Sequence, residues 1–268
     1  MACISAQSEP VGGGINNSPA TSATPRILDC AGWTLHDYQV VNSTNLVAAN
    51  SPPWSAVRAR TQTAGRGRYE RSWVSDEGGL WLSAVVPVGG AESARLLPLL
   101  AGLALCRVLQ DLELRAVRMR WPNDLLVNDR KLAGILVDSF CPNAAVIGMG
   151  VNVQNHPEVC NTKLCRQTAR LADLIPNPPG LDELTALVLR SIRNEMESFT
   201  ASGFVLPIAR VNGLWGPPRS VELELDGDHR RGTFTGVDSE GRLGLWGLDG
   251  TLIFYSAHQV RHLTELES

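Results

Sequence analysis

Apolar positions recur at two different spacings along this 268-residue chain. In residues 91–109 they return every three or four positions, which predicts an amphipathic helix whose apolar face packs into a core. Residues 181–199 show the same spacing and predict a second helix. Residues 56–61, 80–87 and 146–153 read as strands that precede or separate these helices. Helices that alternate with strands in this way predict an α+β fold, with helices packed on a mixed or antiparallel sheet.

The pattern changes near residues 215–218, which read WGPP. Beyond them, short alternating segments are separated by turn-forming residues, and this predicts a small all-β unit, most simply a β barrel. The first 26 residues are rich in Ser, Ala, Gly, Asn and Pro and lack apolar periodicity, so we expect a disordered tail rather than a transit peptide. The predicted organisation is a tail over residues 1–26, a main domain over 27–214 and a β-barrel domain over 215–268.

Charge and composition favour a cytoplasmic enzyme. The net charge of −3 argues against a general nucleic-acid surface, and no apolar run approaches the roughly twenty residues that a membrane helix needs. Six cysteines are scattered without Cys-x-x-Cys spacing, which favours reduced structural thiols over zinc ligands or disulfides. The stretch before Leu28 has too few periodic apolar positions for a helix-turn-helix, so we expect no DNA-binding role.

Candidate chemistry begins with residues 62–68, which read QTAGRGR. Glycines let the backbone approach a ligand closely, and arginines can bind carboxylate or phosphate oxygens with two hydrogen bonds. This combination suits an anionic small molecule. A solvated basic turn is an equally common interpretation of such a segment taken alone, and the run lacks both common nucleotide-binding fingerprints.

Two strand segments contain further candidate residues. Residues 124–137 predict a hairpin with its tight turn at Asn128 and Asp129 and with Lys131 on an otherwise apolar returning strand. A half-buried lysine needs a partner anion, which a ligand could supply, although an ammonium reaching water at the strand entrance would need none. Gly148 and Gly150 interrupt the strand over 146–153. They predict either a bulge or a close approach of the backbone to a ligand.

In combination these segments resemble the biotin protein ligase family, from about Leu28 to the C-terminus. The resemblance rests on STN at 43–45, GRGRYERSW at 65–73, WPND at 121–124 and KLAGIL at 131–136. Two positions depart from the family pattern. Glu70 stands where the family usually has glycine, so closure of this loop or ligand affinity could differ. Arg120 stands where it usually has lysine, which keeps the charge but changes its geometry.

The resemblance implies a class II aminoacyl-tRNA synthetase-like catalytic domain with a C-terminal SH3-like barrel. It also implies a reaction in two steps, in which biotin and ATP give biotinyl-5'-AMP and pyrophosphate, and a lysine of a biotin carboxyl carrier domain then takes the biotinyl group. The implied cofactors are ATP and Mg²⁺, and the implied state is a monomer or a homodimer. Catalysis would come from positioning and from cations placed where negative charge develops.

The resemblance also implies roles for individual residues. The implied catalytic residues are Lys131, Arg66 and Arg68. The implied biotin-binding residues are Ser43, Thr44, Asn45, Gln62, Gly65, Arg66, Gly67, Arg68, Lys131, Gly134 and Gly148, with Gly150 also placed against the ligand. The implied ATP or adenylate contacts are Arg66, Arg68, Arg71, Trp73, Asn123, Lys131 and Asn152. Asp124 would be a magnesium ligand or would accept main-chain hydrogen bonds in its turn.

Three other functions remain open from the sequence. A lipoate or octanoate ligase shares the related fold, but the glycine-arginine and lysine-glycine motifs favour biotin. A non-catalytic biotin sensor would retain binding and lose transfer, and the departures at Glu70 and Arg120 leave that possibility open. A plain interaction module would be indifferent to biotin.

Overall fold

The computed structural model describes residue 21, residues 24–155 and residues 168–266. Two sheets and four α-helices account for most of the regular structure of this part of the chain, and three short 3-10 helices add to them. The helices are α1 (Thr44–Ala48), α2 (Ala91–Asp111), α3 (Leu181–Ala201) and α4 (Ile208–Asn212). The helices predicted over residues 91–109 and 181–199 are confirmed, and each continues two residues further. None of the helices in the described ranges is long and apolar enough to cross a membrane.

The larger sheet has eight strands in the order β1-β2-β3-β4-β8-β7-β6-β5. Only the β2–β3 pair is parallel among these pairings, so the predicted mixed sheet is confirmed. The strands are β1 (Arg26–Cys30), β2 (Trp33–Val41), β3 (Ser55–Gln62), β4 (Leu80–Pro87), β5 (Val117–Arg120), β6 (Asp124–Val127), β7 (Arg130–Cys141) and β8 (Ala144–Val151).

The two faces of the larger sheet carry different layers. Alternate residues of β4 and β8 pack with α2 and α3 into the main core. Val57, Val85 and Val146 point to the opposite face, where they pack with Ala48 of α1. Because side chains alternate along a strand, Ser83 and Gly148 share this second face. The short helix α1 covers only part of that face, and the candidate site lies beside it.

The hairpin predicted over residues 124–137 is confirmed, with β6 and β7 joined by a two-residue turn. Asn128 and Asp129 have φ angles of 48° and 59°. Two successive left-handed residues are typical of the type I′ turn, and asparagine and aspartate tolerate that conformation better than most residues. The turn sets the register of β7, and thereby the position of Lys131.

The smaller sheet has five antiparallel strands in the order β12-β11-β10-β9-β13. Four of them match the alternating segments predicted over residues 220–225, 231–237, 243–246 and 251–255, and the last strand was not predicted. Within the described residues no pairing joins β12 to β13, so the closed barrel stays a prediction. The strands are β9 (Arg219–Glu224), β10 (His229–Val237), β11 (Leu243–Gly247), β12 (Leu252–Tyr255) and β13 (His262–Glu265).

The smaller sheet docks firmly on the larger one. Its buried residues belong to the same continuous core as α2 and β4. Both carboxylate oxygens of Glu265 accept hydrogen bonds from Arg118, at 2.8 and 2.6 Å, and Trp121 donates to the carbonyl of Gly241 at 3.1 Å. These contacts fix one wall of the candidate site against the other.

Most of the predicted tail lies outside the described residues. At its end, Arg26 already belongs to β1, and Thr21 forms a bridge with Val41. Cys30 and Cys106 are free thiols, as expected, whereas Cys3, Cys160 and Cys165 lie outside the described residues.

Candidate functional site

Two rows of residues in register across the larger sheet form the floor of the site. Asp124 on β6 pairs with Gly134 on β7, which pairs with Gly150 on β8. In the next row, Ser83 on β4 pairs with Gly148. Antiparallel register brings these residues side by side on one face, although they are up to 67 positions apart in sequence. The floor therefore carries three glycines and a carboxylate at its edge.

Polar side chains from the start of α1 cover one half of this floor. Thr44 donates to Oε1 of Gln62 from its backbone N–H and its hydroxyl, at 2.8 and 3.0 Å. The amide of Asn45 donates to Oδ2 of Asp138 at 2.7 Å, and its Oδ1 accepts from the buried hydroxyl of Ser83 at 2.6 Å. This network of donors and acceptors holds Asn45 directly above Gly148, where a Cβ would collide with its Oδ1.

Trp73 covers the other half of the floor. A Cβ at Gly150 would lie 2.5 Å from the indole Nε1, and one at Gly134 would lie 2.9 Å from the ring. Glycine at both positions is therefore needed for the indole to lie this close to the sheet. The family resemblance implied that Gly134, Gly148 and Gly150 admit a ligand. Here Gly148 admits Asn45, and Gly134 and Gly150 admit Trp73, and both of these side chains in turn face the cavity.

Lys131 and Asp124 form an ion pair at the centre of the site. The Lys131 ammonium lies 2.6 Å from Oδ1 of Asp124 and 5.0 Å from the centroid of the Trp73 ring. Arg120 holds the other carboxylate oxygen at 2.7 Å. Burial raises the pKa of Asp124, but the charges of Lys131 and Arg120 outweigh burial and hold the pKa below its ordinary value. The partner anion that Lys131 was predicted to require is therefore supplied by the protein.

The same ion pairs bear on the magnesium role considered for Asp124. Both oxygens of this carboxylate already face cations. In residues 24–155 and 168–266, no three His, Cys, Asp or Glu side chains converge to hold a metal ion. A hard divalent cation takes several oxygen ligands, so this arrangement fits a carboxylate that positions Lys131 rather than a resident Mg²⁺ ligand.

Residues 65–73, here called the ligand loop, form the rim of the site. The loop folds back on itself, because the N–H of Gly67 donates to the carbonyl of Arg71 at 2.7 Å and the N–H of Trp73 donates to that of Gly65 at 2.9 Å. Arg68 reaches across to the smaller sheet, and burial lowers the pKa of its guanidinium. The rim therefore contacts both sheets.

The floor, the ligand loop and the smaller sheet enclose one cavity of about 1340 Å³. This exceeds the roughly 300–1,000 Å³ usual for small-molecule sites and leaves room for two substrates. Seven lysines or arginines line it against three carboxylates, so it favours a polyanion. The cations are Arg66, Arg68, Arg71, Arg120, Lys131, Arg219 and Arg261, and the carboxylates are Asp124, Asp129 and Glu265.

The structure brings most of the predicted site residues to this one cavity. Two are set apart from it. Gly65 is buried against the Trp73 carbonyl, and Asn152 is buried with its Oδ1 accepting from Asn155. Asn123 lines the cavity, but its amide also donates to the carbonyl of Ile135. This bond fastens the turn between β5 and β6 to β7. The predicted residues that line the cavity are Ser43, Thr44, Asn45, Gln62, Arg66, Gly67, Arg68, Arg71, Trp73, Asn123, Asp124, Lys131, Gly134, Gly148 and Gly150.

Several residues of the site were not predicted from the sequence. Ser83 carries a hydroxyl within an otherwise apolar strand, and Asp138 follows the apolar run of β7. A polar residue in an apolar segment was therefore the sequence signal that could have identified both. His262 of β13 also lines the cavity. Partial desolvation of the ring and the nearby charges of Arg71 and Arg120 lower the pKa of its imidazole. No local pattern assigns His262 to the site, because its position depends on how the sheets dock.

Comparison with known proteins places this geometry in a family. A family model described as the biotin/lipoate A/B protein ligase family matches residues 38–152. The bifunctional ligase/repressor BirA of Bacillus subtilis is 30% identical over 222 residues, which cover 78% of this chain and 66% of the relative. The chain thus spans about two thirds of the length of that relative.

Two further similarities extend the match. The biotin–[acetyl-CoA-carboxylase] ligase of Mycobacterium tuberculosis is 31% identical over 216 residues, which cover 76% of this chain and 77% of the relative. The structure of the biotin protein ligase from Aquifex aeolicus, in complex with biotin and ATP, shares the fold with a TM-score of 0.76 at 22% identity, covering 87% of this chain and 99% of that one. The chain therefore belongs to the biotin/lipoate A/B protein ligase family and, within it, to the biotin protein ligases.

Proposed function

We propose that this protein is a biotin protein ligase that activates biotin with ATP and transfers it to a lysine of a biotin carboxyl carrier domain. The observation that carries the proposal is the cavity itself, in which a polar pocket under α1 meets a cation-rich region at Lys131. The names of the relatives add support, since the M. tuberculosis protein is named a ligase of biotin and acetyl-CoA carboxylase.

The reaction proceeds in two steps without a protein nucleophile. A carboxylate oxygen of biotin attacks the α-phosphorus of ATP, the bond to the β-phosphate oxygen breaks, and pyrophosphate leaves. The ε-amine of the acceptor lysine then attacks the acyl carbon of biotinyl-5'-AMP, loses a proton and displaces AMP. Negative charge gathers first around the α-phosphate and later on the departing AMP, so catalysis depends on cations placed in advance at those positions.

The pocket under α1 fits the biotin end. A ureido group offers two N–H donors and one carbonyl acceptor, and it needs matching partners in a buried place. Thr44, Asn45 and Gln62 supply both kinds of group, and Ser83 and Asp138 hold Asn45 from behind. Ser43 and Gly148 complete this wall of the cavity.

The region around Lys131 and Trp73 fits the adenylate end. Lys131 lies between the indole face and the Asp124 carboxylate, where its charge can contact both the biotin carboxylate and the α-phosphate. Arg66, Arg68 and Arg71 line the same cavity from the ligand loop, and Trp73 offers its ring to adenine. Gly67 lets the loop backbone approach the intermediate.

Mg²⁺ binds together with ATP rather than at a site of its own on the protein. Mg²⁺ commonly binds through nucleotide phosphates and retains several waters, so it can arrive on ATP without a cage of protein ligands. Asp124 then acts on Lys131 and Arg120, which its two oxygens contact.

The remaining proposals concern organisation and partners. We assign residues 27–214 to ligand activation and residues 215–268 to an SH3-like module. The five-stranded sheet supports this division, because it contains only β9 to β13, which follow one another at the end of the chain. The acceptor is a carrier domain of a biotin-dependent carboxylase, and the ligase acts in the cytoplasm as a monomer or homodimer. The free thiols of Cys30 and Cys106 fit a reducing compartment.

Pyrophosphate release tests the proposal. The protein is supplied with Mg²⁺ and ATP together with biotin, lipoate or octanoate, and a carrier domain is then added. We expect biotin-dependent release and biotinylation of the carrier lysine. Release with lipoate or octanoate alone would assign the chain to the lipoate branch of the family. Tight biotin binding without release would make it a sensor.

A further inference from the structure

The ligand loop makes an unusual set of contacts with the smaller sheet. The hydroxyl of Tyr69 donates to the carbonyl of Val260 at 2.8 Å. The guanidinium of Arg68 donates to the Tyr69 hydroxyl at 3.1 Å and to the carbonyl of Ala257 at 2.5 Å. Both side chains thus converge on one turn of the smaller sheet, at residues 257–260. We call this group of contacts the loop clasp.

The Tyr69 ring is held from both sides. The guanidinium carbon of Arg68 lies 4.9 Å from the ring centroid, and that of Arg261 lies 6.0 Å away. Arg261 in turn pairs with Asp226 on the turn between β9 and β10. Cation–π contacts of this kind add to the hydrogen bond, so the side chain stays in place although 42% of its surface is exposed.

The backbone of the ligand loop is strained at Tyr69 and Glu70, where the loop clasp holds it. Tyr69 and Glu70 have φ angles of 55° and 56°, in the left-handed region that non-glycine residues rarely adopt. Two successive residues of this kind are typical of a type I′ turn, which the N–H of Arg71 closes by donating to the carbonyl of Arg68 at 3.3 Å. Tyrosine and glutamate, however, tolerate the conformation less well than glycine or asparagine. The clasp is the tertiary contact at this position, since Glu70 is exposed and does not line the cavity.

We propose that Tyr69 is a positioning residue that fastens the ligand loop to the smaller sheet and so retains biotinyl-5'-AMP until the acceptor lysine arrives. The inference rests on the function proposed above. Tyr69 takes no part in bond making. Its hydroxyl orients Arg68 and keeps the rim of the cavity closed, so that neither escape of the intermediate nor attack by water on its acyl carbon competes with transfer.

The variant Tyr69→Phe removes the hydroxyl and keeps the ring. In the presence of biotin and Mg²⁺-ATP but without acceptor, we expect steady release of AMP to rise about five- to ten-fold, as the loss of one or two hydrogen bonds allows. The first turnover of pyrophosphate release should change less than about two-fold, because Lys131 and Asp124 are untouched and Arg68 keeps its hydrogen bonds to the carbonyls of Ala257 and Val260. A role in overall stability alone would lower both rates together.

Tyr38→Phe is the matched control, since Tyr38 lies on β2 and does not line the cavity. It loses the same hydroxyl and should behave as the wild type in both assays. Thermal unfolding of both variants establishes that they are folded. Unchanged AMP release in a folded Tyr69→Phe protein, with a wild type that does form the adenylate, would overturn the inference and leave the proposed function intact.

Amide hydrogen exchange of the ligand-free protein tests the clasp independently of any reaction. In Tyr69→Phe we expect the amides of Gly67 and Trp73, which bond within the loop, to exchange about five-fold faster. The amide of Ile135, which bonds to Asn123, serves as the reference and should be unchanged. Equal protection of the loop in both proteins would overturn the clasp even if the wild type released no pyrophosphate.

Discussion

The ammonium of Lys131 lies 2.6 Å from the Asp124 carboxylate, and both residues lie where the polar and cationic parts of the cavity meet. The same carboxylate binds Arg120, so one half-buried anion organises two cations that come from different strands. A lysine held in this way has its position fixed before any ligand arrives. Such preorganisation lowers the cost of stabilising charge that develops during the reaction.

Replacement of Lys131 by alanine should abolish adenylate formation. We expect the rate of biotin-dependent pyrophosphate release to fall by at least about 100-fold, the loss typical of removing one group that stabilises developing charge. Asp124 keeps Arg120 as a partner, so the fold should persist. Lys131→Arg is the matched control, because it keeps the charge and changes its geometry. Near-normal release from the folded alanine variant would refute the catalytic role of Lys131.

Asp124→Asn should make the protein less stable at neutral pH and change its acid sensitivity. Removing the carboxylate leaves two partly exposed cations without their anion, which costs less than the roughly 3 kcal/mol of a fully buried pair. Because the folded-state pKa of Asp124 is depressed, its contribution is present above the unfolded pKa of about 3.9 and is lost as pH falls through the folded value.

Urea unfolding of both proteins between neutral and acidic pH measures this effect. The difference in unfolding free energy between wild type and Asp124→Asn should be largest at neutral pH. It should shrink below about pH 4, where the Asp124 carboxylate of the unfolded chain begins to protonate while that of the folded protein stays charged. A difference independent of pH would show that the ion pairs contribute nothing to stability.

Two glycines of the floor should separate the binding of the two substrates. A methyl group at Gly148 would displace Asn45, and one at Gly150 would lie 2.5 Å from Nε1 of Trp73. We therefore expect Gly148→Ala to weaken biotin binding by about ten-fold or more while ATP binding is largely kept, and Gly150→Ala to do the reverse.

Titration calorimetry with biotin and with ATP measures both affinities. Gly180→Ala is the control, because a Cβ there meets nothing within 4 Å. If both floor variants lost both ligands equally, the division of the floor into a biotin half under Asn45 and an adenylate half under Trp73 would be wrong.

Glu70→Gly should stabilise the ligand loop. Glycine adopts the φ angle of 56° at this position without the penalty of roughly 1–2 kcal/mol that a side chain carries there. Because Glu70 is exposed and does not line the cavity, we expect ATP affinity to stay within about two-fold. Glu70→Ala removes the same charge and keeps the strain. Thermal unfolding and ATP titration of the two variants separate the two effects, and equal melting temperatures would argue against strain.

Local patterns predicted much of the fold. The spacing of leucines predicted α2, and the Asn128–Asp129 turn between apolar runs predicted the hairpin that carries Lys131. These features depend on neighbours in sequence. The strands β1, β2, β5 and β13 were not predicted. The strands β1, β5 and β13 lie at sheet edges and owe their pairing to tertiary contacts, and in β2 the polar residue Asp37 interrupts the apolar alternation.

The candidate site was predicted in its residues but not in its arrangement. The motifs brought Lys131, Asp124 and Trp73 together as candidates, but their spacing does not reveal that Asp124, Gly134 and Gly150 share one row of the sheet. That row depends on the register of three strands. The contribution of His262 depends on docking of the smaller sheet, which no local pattern encodes.

The exchange of radiolabelled pyrophosphate into ATP tests most directly whether biotin is activated at Lys131. This exchange reports reversible formation of the acyl adenylate and needs no acceptor protein. We predict exchange that depends on biotin and Mg²⁺, that lipoate does not support, and that Lys131→Ala abolishes while the protein remains folded. Exchange that proceeds without biotin, or that is undiminished in Lys131→Ala, would contradict the proposal that biotin is activated at Lys131.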